Sequence, residues 1–521
     1  IIRGTQSELY GSEAIGGVVH LFTKGGKDAQ GTTLSLGGGN FETRQGSIAC
    51  AGGRKSVHYL FAATRTNSQG QFDNDDAYRN TGLTARIDWQ DSQAFSLKAV
   101  CRYRDAQKEL AVNPDEFSFM DPKGHQMTFF RDDDGIRRDH FFLQTLAAEA
   151  DPCHWWHYRL NAGCLQDHVQ TERGLYYGTA NQFINDVSSN RISVGTQHDF
   201  TWPAAPNTFS LGLEYERESA NGGQKFAGDP DAIAKQYHSF FGTIDKSRNN
   251  LSLFFQNRIE VHPLTLAVGF RQDNNSVYGD VLSPRLSGSF CIDRTKTRLK
   301  ASWAKGFRAP SFQELYYPEL GNPTLKPEKS TGFEAGVEQP VILNKLALGC
   351  TYFHTRYKDL ISKVGGAHNL DGAAIVDGIE GELACDPLPT LKVRIDYTWL
   401  DSQDKKTQQE LSDRPHNTWK IAADYCQGRF SIHPVINVVS SEYSNHSGLD
   451  LQGNPFEVRN PGYTRVDVTA QYEIPIHHPI IVGGRWQWYI RINNLFDEEY
   501  CEVQGFPAPG VNFLTGITVT F

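Results

Sequence analysis

No apolar run in this 521-residue chain approaches the ~18 residues of a membrane-spanning helix, which excludes a helical membrane protein but not a barrel, whose strands are only half apolar. The chain also lacks an excess of basic residues. Its net charge is −9, and nothing in that balance invites nucleic acid. No G-x-S-x-G, H-E-x-x-H or P-loop occurs, so the common signatures of hydrolases, zinc proteases and nucleotide-binding enzymes are missing. No C-x-x-C occurs among the nine cysteines, and an odd count leaves at least one unpaired. They read as small apolar residues on strands, with Cys153 and Cys164 as the first pair to test for a disulfide. The chain opens at Ile1-Ile2-Arg3 without an initiating Met or an apolar leader, so further sequence is expected upstream and the missing leader says nothing about compartment.

What the chain has is strict alternation. In 485–492, Trp486, Trp488, Ile490 and Ile492 fall on one face, and Arg485, Gln487, Tyr489 and Arg491 on the other. Residues 391–399 place Leu391, Val393, Ile395, Tyr397 and Trp399 opposite Lys392, Arg394, Asp396 and Thr398, and 465–474 repeat the pattern. Segment 95–104 follows it except at Val100. Side chains alternate across a strand with period two, and helical i, i+3, i+4 spacing does not fit these runs. Trp and Ile opposite Arg and Gln suit a strand between lipid and water. A soluble sandwich also alternates, but its domains of roughly 100 residues would repeat a modular pattern that is not seen. One pattern from about residue 31 to the end argues for one large β structure. Aromatics make up 12% of the chain, as barrels with girdles at both membrane interfaces require.

Residues 1–24, IIRGTQSELYGSEAIGGVVHLFTK, resemble the end of the plug domain of TonB-dependent outer-membrane receptors. Four further segments resemble that family in the right order. They are Phe41 to Gly46, an early hairpin; Gly306-Phe307-Arg308-Ala309-Pro310 with Glu314-Leu315-Tyr316 and 321–328; Asn493 to Tyr500; and Gly505 to Gly510 before the last strand. The resemblance implies an all-β fold, a transmembrane antiparallel barrel of about 22 strands with a remnant of the plug at the N-terminus. Residues 1–26 would be the plug end and 27–521 the barrel. Residues 31–521 over 22 strands leave about 22 per strand and connection, about half of it a ~9–11-residue span.

Gly11, Gly16 and Gly17 read as positions of sharp turning or close backbone approach, with 16–22 a turn followed by a strand. Gly4 and Tyr10 belong to the same motif. In the family, the arginine of the Arg-Gly motif is thought to lock the plug to barrel carboxylates, which makes Arg3 the coupling candidate here. Parity puts Glu334, and Glu380 with Glu382, on the lumenal face, and Glu334 and Glu380 are the partners expected for Arg3. Phe521 is expected to end the closing strand and to pair it with the first strand near Thr32–Leu36. The resemblance also makes a terminal aromatic an assembly signal, read by the barrel-assembly machinery.

The acidic clusters at 73–76 and at Asp132, Asp133 and Asp134 have oxygen ligands at short spacing. The latter is a calcium candidate on a long exterior loop, 109–138, although such residues also simply favour turns. No other cofactor is expected. Boxes used by some haem receptors occur at 307–310 and 322–325, but 311–321 hold no histidine to serve as an axial ligand, which disfavours haem uptake.

Together these readings predict a non-enzymatic, monomeric receptor in the bacterial outer membrane, in contact with its lipid. It would import cobalamin or a metal chelate with energy from TonB, reached through the upstream region. The barrel length and residues 10–19 lean toward cobalamin receptors. Ferric-siderophore receptors stand next. A barrel lipase or protease, or a passive porin, would have no use for a plug-end motif.

Overall fold

The computed structural model describes every residue except 1, 72–75, 93, 110–116, 121–125, 130–134, 175–181, 203–205, 228–241, 319, 344, 364–365, 445–457, 476–483 and 504–505. Asp132–Asp134, residues 73–75 and Gly505 therefore lie outside the described residues. Twenty-two antiparallel strands, from Gly31–Gly39 to Asn512–Thr520, close into one barrel. Full closure leaves no unpaired edge, the condition for strands to cross a bilayer. The barrel starts where the alternation starts. Its last strand pairs with its first, Thr33 to Thr520 through Gly39 to Leu514, and the Phe521 amide donates to the Thr32 carbonyl at 2.9 Å.

Two-residue turns join Arg44–Arg54 to Val57–Ser68, Leu391–Asp404 to its predecessor Ala373–Leu388, and Asn417–Gln427 to Phe430–Val439. These turns lie at the end that also holds Phe521. Most of the longer connections lie at the other end. Short turns mark the periplasmic side and long loops the exterior. The exterior segment after Phe95–Glu109 contains a small hairpin, Phe117–Met120 against Gln126–Phe129.

The faces follow parity. On Leu264–Asn275, Leu264, Leu266, Val268 and Phe270 are exposed on the outer wall, while Arg271, Asp273 and Asn275 are buried inside. Gln487, Tyr489 and Arg491 line an internal polar cavity of about 210 Å³ with Gln45, Ser47 and Gln471. Trp486, Trp488 and Ile490 therefore face lipid. Val100, the break in the pattern, pairs with Arg86 and Thr145, and its parity points inward. An outer aromatic belt runs near the periplasmic end through Trp156, Phe200, Phe209, Phe255 and Phe270, with neighbouring centroids 4.9 to 6.2 Å apart.

All nine cysteines are unpaired and lie on strands. Cys153 ends its strand opposite Trp156, whereas Cys164 lies eight residues further along, ~26 Å away, too far for a disulfide.

Candidate functional site

The segment before the barrel, expected to be a plug end, sits inside the barrel. Ile2–Arg3 pairs with Gly17–Val18, and a four-residue helix, α1 (Ser7–Tyr10), lies between them. Gly4 has φ +68°, and a Cβ there would fall 1.8 Å from the Glu334 Oε1. Gly11 closes α1 at φ +69°, its amide donating to the Ser7 carbonyl at 3.0 Å. Gly17 passes so close to the Ile2 carbonyl that a Cβ would stand 2.9 Å from it. Gly16 lies at a bend, as read, but it has no neighbour within 4 Å of a Cβ position and no positive φ, so nothing there demands glycine. The expected strand after Gly17 is also shorter than read. It ends at Val18, and Val19, Leu21 and Phe22 are exposed without strand partners. Tyr10 is exposed at the end of α1.

Arg3 bonds Glu380 at 2.8 Å and also Glu382, which lies two residues along on the same lumenal face. Glu334 is not the second partner. Its carboxylate packs over Gly4 and accepts from the Ser302 hydroxyl at 3.2 Å. Both readings of parity place these side chains inward. The choice between Glu334 and Glu382 depends on where the short Ile2–Arg3 strand runs, which parity does not encode.

The seat of α1 was not legible from spacing. The Ser7 hydroxyl accepts from the Phe307 amide at 3.3 Å, and the Ser12 hydroxyl from the Ala309 amide at 2.9 Å. Both donors belong to the 306–310 motif, and Phe307 is fully buried. Arg285 donates to the Thr5 carbonyl at 2.7 Å, and Arg248 to the Pro310 carbonyl at 2.6 Å. Two serines in a turn-rich segment carry no periodic signal that could have singled them out.

Arg308, in the same motif, forks onto Glu328 at 2.7 and 2.8 Å and onto Glu314 at 3.2 and 3.3 Å. Glu314 also closes a capping box with Ser311 at the start of α2 (Phe312–Tyr316). Arg308, Glu314 and Glu328 thus bind one another and fix the exterior loop. The Asn493–Tyr500 motif is structural too. Asn494, at φ +51° and 1% exposed, donates to the carbonyls of Glu498 and Pro509 and ties down the loop before the last strand.

Behind α1, Arg271 is buried and reaches Asp273 at 3.0 Å, Glu214 at 2.9 Å and the Ser252 hydroxyl at 2.8 Å. Its guanidinium also covers Gly11. A buried charge needs such partners, which Nε and Nη2 find, while Nη1 has no hydrogen-bond partner among the described residues. Glu8 is 2% exposed, with Gln256 donating to Oε1 at 3.3 Å and no bond to Oε2. Burial pushes its carboxyl up to about 7, against the opposing pull of Arg285 and Gln256. Nearer the first strand, Arg86 donates to the carbonyls of Thr23 and Lys24 at 3.1 and 3.3 Å and anchors the connection to the wall.

Among the described residues no group of three or more His, Cys, Asp and Glu side chains could hold a metal ion. Residues 22–495 match the family described as TonB dependent receptor-like, beta-barrel. The chain is 25% identical over 520 residues to the vitamin B12 transporter BtuB of Vibrio vulnificus, covering 96% of this chain and 75% of the transporter. The corresponding protein of Photobacterium profundum is 24% identical over 549 residues, covering 100% and 79%. The fold is shared with the ferric enterobactin receptor PfeA of Pseudomonas aeruginosa, with a TM-score of 0.77 at 17% identity over 100% of this chain and 84% of that one. The ferric-catecholate import receptor Fiu of E. coli K12 gives a TM-score of 0.78 at 15% identity, over 100% and 86%. With 22 closed strands, a lipid-facing outer wall and an N-terminal segment seated in its lumen, the chain belongs to the TonB-dependent receptor family and lies in the bacterial outer membrane.

Proposed function

We propose that this receptor imports cobalamin, driven by TonB through a region upstream of Arg3. The observation that carries an import reading is the seating of residues 2–18 in the lumen by Ser7, Ser12, Arg285 and Arg3. A plug end held by bonds that can be broken one by one suits a gate, and a passive pore has no use for one. Likeness to vitamin B12 transporters along nearly the whole chain supports cobalamin as cargo. In this reading Arg3, Glu380 and Glu382 couple plug to barrel, with Glu334 fixing the path of the backbone at Gly4.

A ferric-siderophore cargo is the second reading. It is supported by cations over aromatic rings toward the exterior end. Arg248 lies 5.0 Å from the Phe312 centroid and 6.0 Å from that of Tyr278, and Lys246 lies 5.4 Å from that of Tyr316. Such a surface would suit an anionic aromatic chelate. The test is uptake of radiolabelled cyanocobalamin and of ferric enterobactin by a host lacking its own receptors, with and without TonB. TonB-dependent cobalamin uptake is expected. Ferric enterobactin uptake without cobalamin uptake would replace the first reading by the second.

A further inference from the structure

The outer wall carries a basic cleft at its exterior rim. It has a volume of about 440 Å³ and is lined by Arg356, Lys358, Lys405 and Lys406, with Asp359 and Asp371 as its acids. Leu348 and Tyr352 are exposed on the lipid side of Leu346–Lys358, and Arg356 and Lys358 share their parity. The cleft therefore opens outward, away from the lumen and the plug seat.

Its height is set by the same strand. The Tyr352 hydroxyl donates to Asp377 at 2.7 Å, an aromatic whose polar tip is already satisfied at the edge of the apolar band. Arg356 lies four residues beyond, ~13 Å along the strand and ~10 Å along the membrane normal at a tilt of ~40°. That is the level of lipid headgroups. Lys358 pairs with Ala373, and the Lys405 amide donates to the Ala373 carbonyl at 2.8 Å. The two lysines thus flank one residue on adjacent strands, with backbones ~10 Å apart, close enough for both ammonium groups to reach one anion.

The charges are poorly neutralised. Arg356 and Lys358 have no carboxylate partner among the described residues, and Lys406 stands 3.9 Å from Asp371. Four cations against two carboxylates, in a chain of net charge −9, form a local inversion of sign. Unpaired like charges crowded beside a membrane repel one another unless an anion joins them.

We infer that this cleft binds the phosphorylated headgroup of an outer-leaflet lipid. The phosphate would lie between Lys358 and Lys405, with Arg356 and Lys406 at its edges and the acyl chains running down past Tyr352 and Leu348.

The test is native mass spectrometry of the detergent-purified receptor titrated with bis-phosphorylated lipid A, dephosphorylated lipid A, or inorganic phosphate. One bis-phosphorylated lipid is expected to bind, with the dephosphorylated lipid at least about tenfold weaker and affinity falling as salt rises. Lys358→Gln with Lys405→Gln should weaken the phosphorylated lipid about thirtyfold. Lys358→Arg with Lys405→Arg should retain binding, which separates charge from fold, and heat-modifiable migration checks that both variants are folded. Equal binding of both lipids, or no loss in the glutamine pair, would overturn the inference. Inorganic phosphate binding as tightly as the lipid would overturn the assignment to a headgroup. If the glutamine pair does not fold, the wild-type contrast between the two lipids decides alone.

Discussion

Arg3 of the N-terminal segment bonds Glu380 of the barrel wall at 2.8 Å, and Glu382 shares the same guanidinium. Under the proposed function, one cation between two part-exposed carboxylates would act as a releasable lock. The Arg3 side chain is 46% exposed, so each pair contributes about 1 kcal/mol or less, well below a fully buried pair. Glu380→Gln with Glu382→Gln should raise passive entry of large antibiotics. Arg3→Ala should do the same, and the triple variant should add little, because all three remove one interaction. Independent, additive effects in that permeability assay would show that no lock exists.

Gly4 offers a sharper test of the plug path. Gly4→Ala meets two penalties. One is a positive φ, about 1–2 kcal/mol for an L residue, and the other is a clash with Glu334. Adding Glu334→Ala removes only the clash. Hydrogen exchange of the Ser7–Tyr10 amides should rise in Gly4→Ala and be partly restored in the double variant. Full restoration would mean that φ costs nothing here, and no restoration that Glu334 does not occupy the space.

The seating of α1 should depend on pH through Glu8. Its seated carboxyl titrates near 7, above its ordinary value of 4.5, so the seated state holds a proton that the released state gives up. Seating is therefore fully favoured below about 4.5 and weakens as pH rises through 7. Protection of the α1 amides should fall between pH 5 and 8 in the wild type. In Glu8→Gln that slope should vanish. A slope unchanged by the substitution would assign the titration to another group.

The lipid and lumen faces of the Arg485–Asn493 strand can be separated by one change on each. Trp488→Arg puts a cation into lipid and should cost about 2–4 kcal/mol at mid-membrane depth, whereas Gln487→Arg enters the wet lumen and should cost little. Urea unfolding in lipid vesicles measures both. Equal costs would contradict the assigned faces.

Phe521 is half exposed, and the bonds between Phe521 and Thr32 are made by backbone groups. Phe521→Ala should leave the stability of the folded barrel nearly unchanged but lower the yield of heat-modifiable receptor in the membrane. An unchanged yield would remove the terminal side chain from assembly.

The sequence by itself determined the barrel. Period-two alternation decides which side chains meet lipid, and a closed sheet is the way such strands satisfy their backbone in a bilayer. For that reason the lipid face of Trp486 and Trp488, the start near Gly31 and the closure by Thr33 and Thr520 were all readable. Parity also sent Glu334, Glu380 and Glu382 inward. Tertiary structure alone decided which of them Arg3 would reach. Parity specifies a face and not a height, and the reach of Arg3 depends on where α1 is pinned by Ser7 and Ser12 on the Phe307 and Ala309 amides. Those bonds join residues some three hundred positions apart and leave no periodic trace. The same holds for Glu8, buried where α1 packs against Gly269 of the wall, and for Arg271, which Gly11 covers. It holds as well for the rim lysines, which become one cleft only because three neighbouring strands end at the same height.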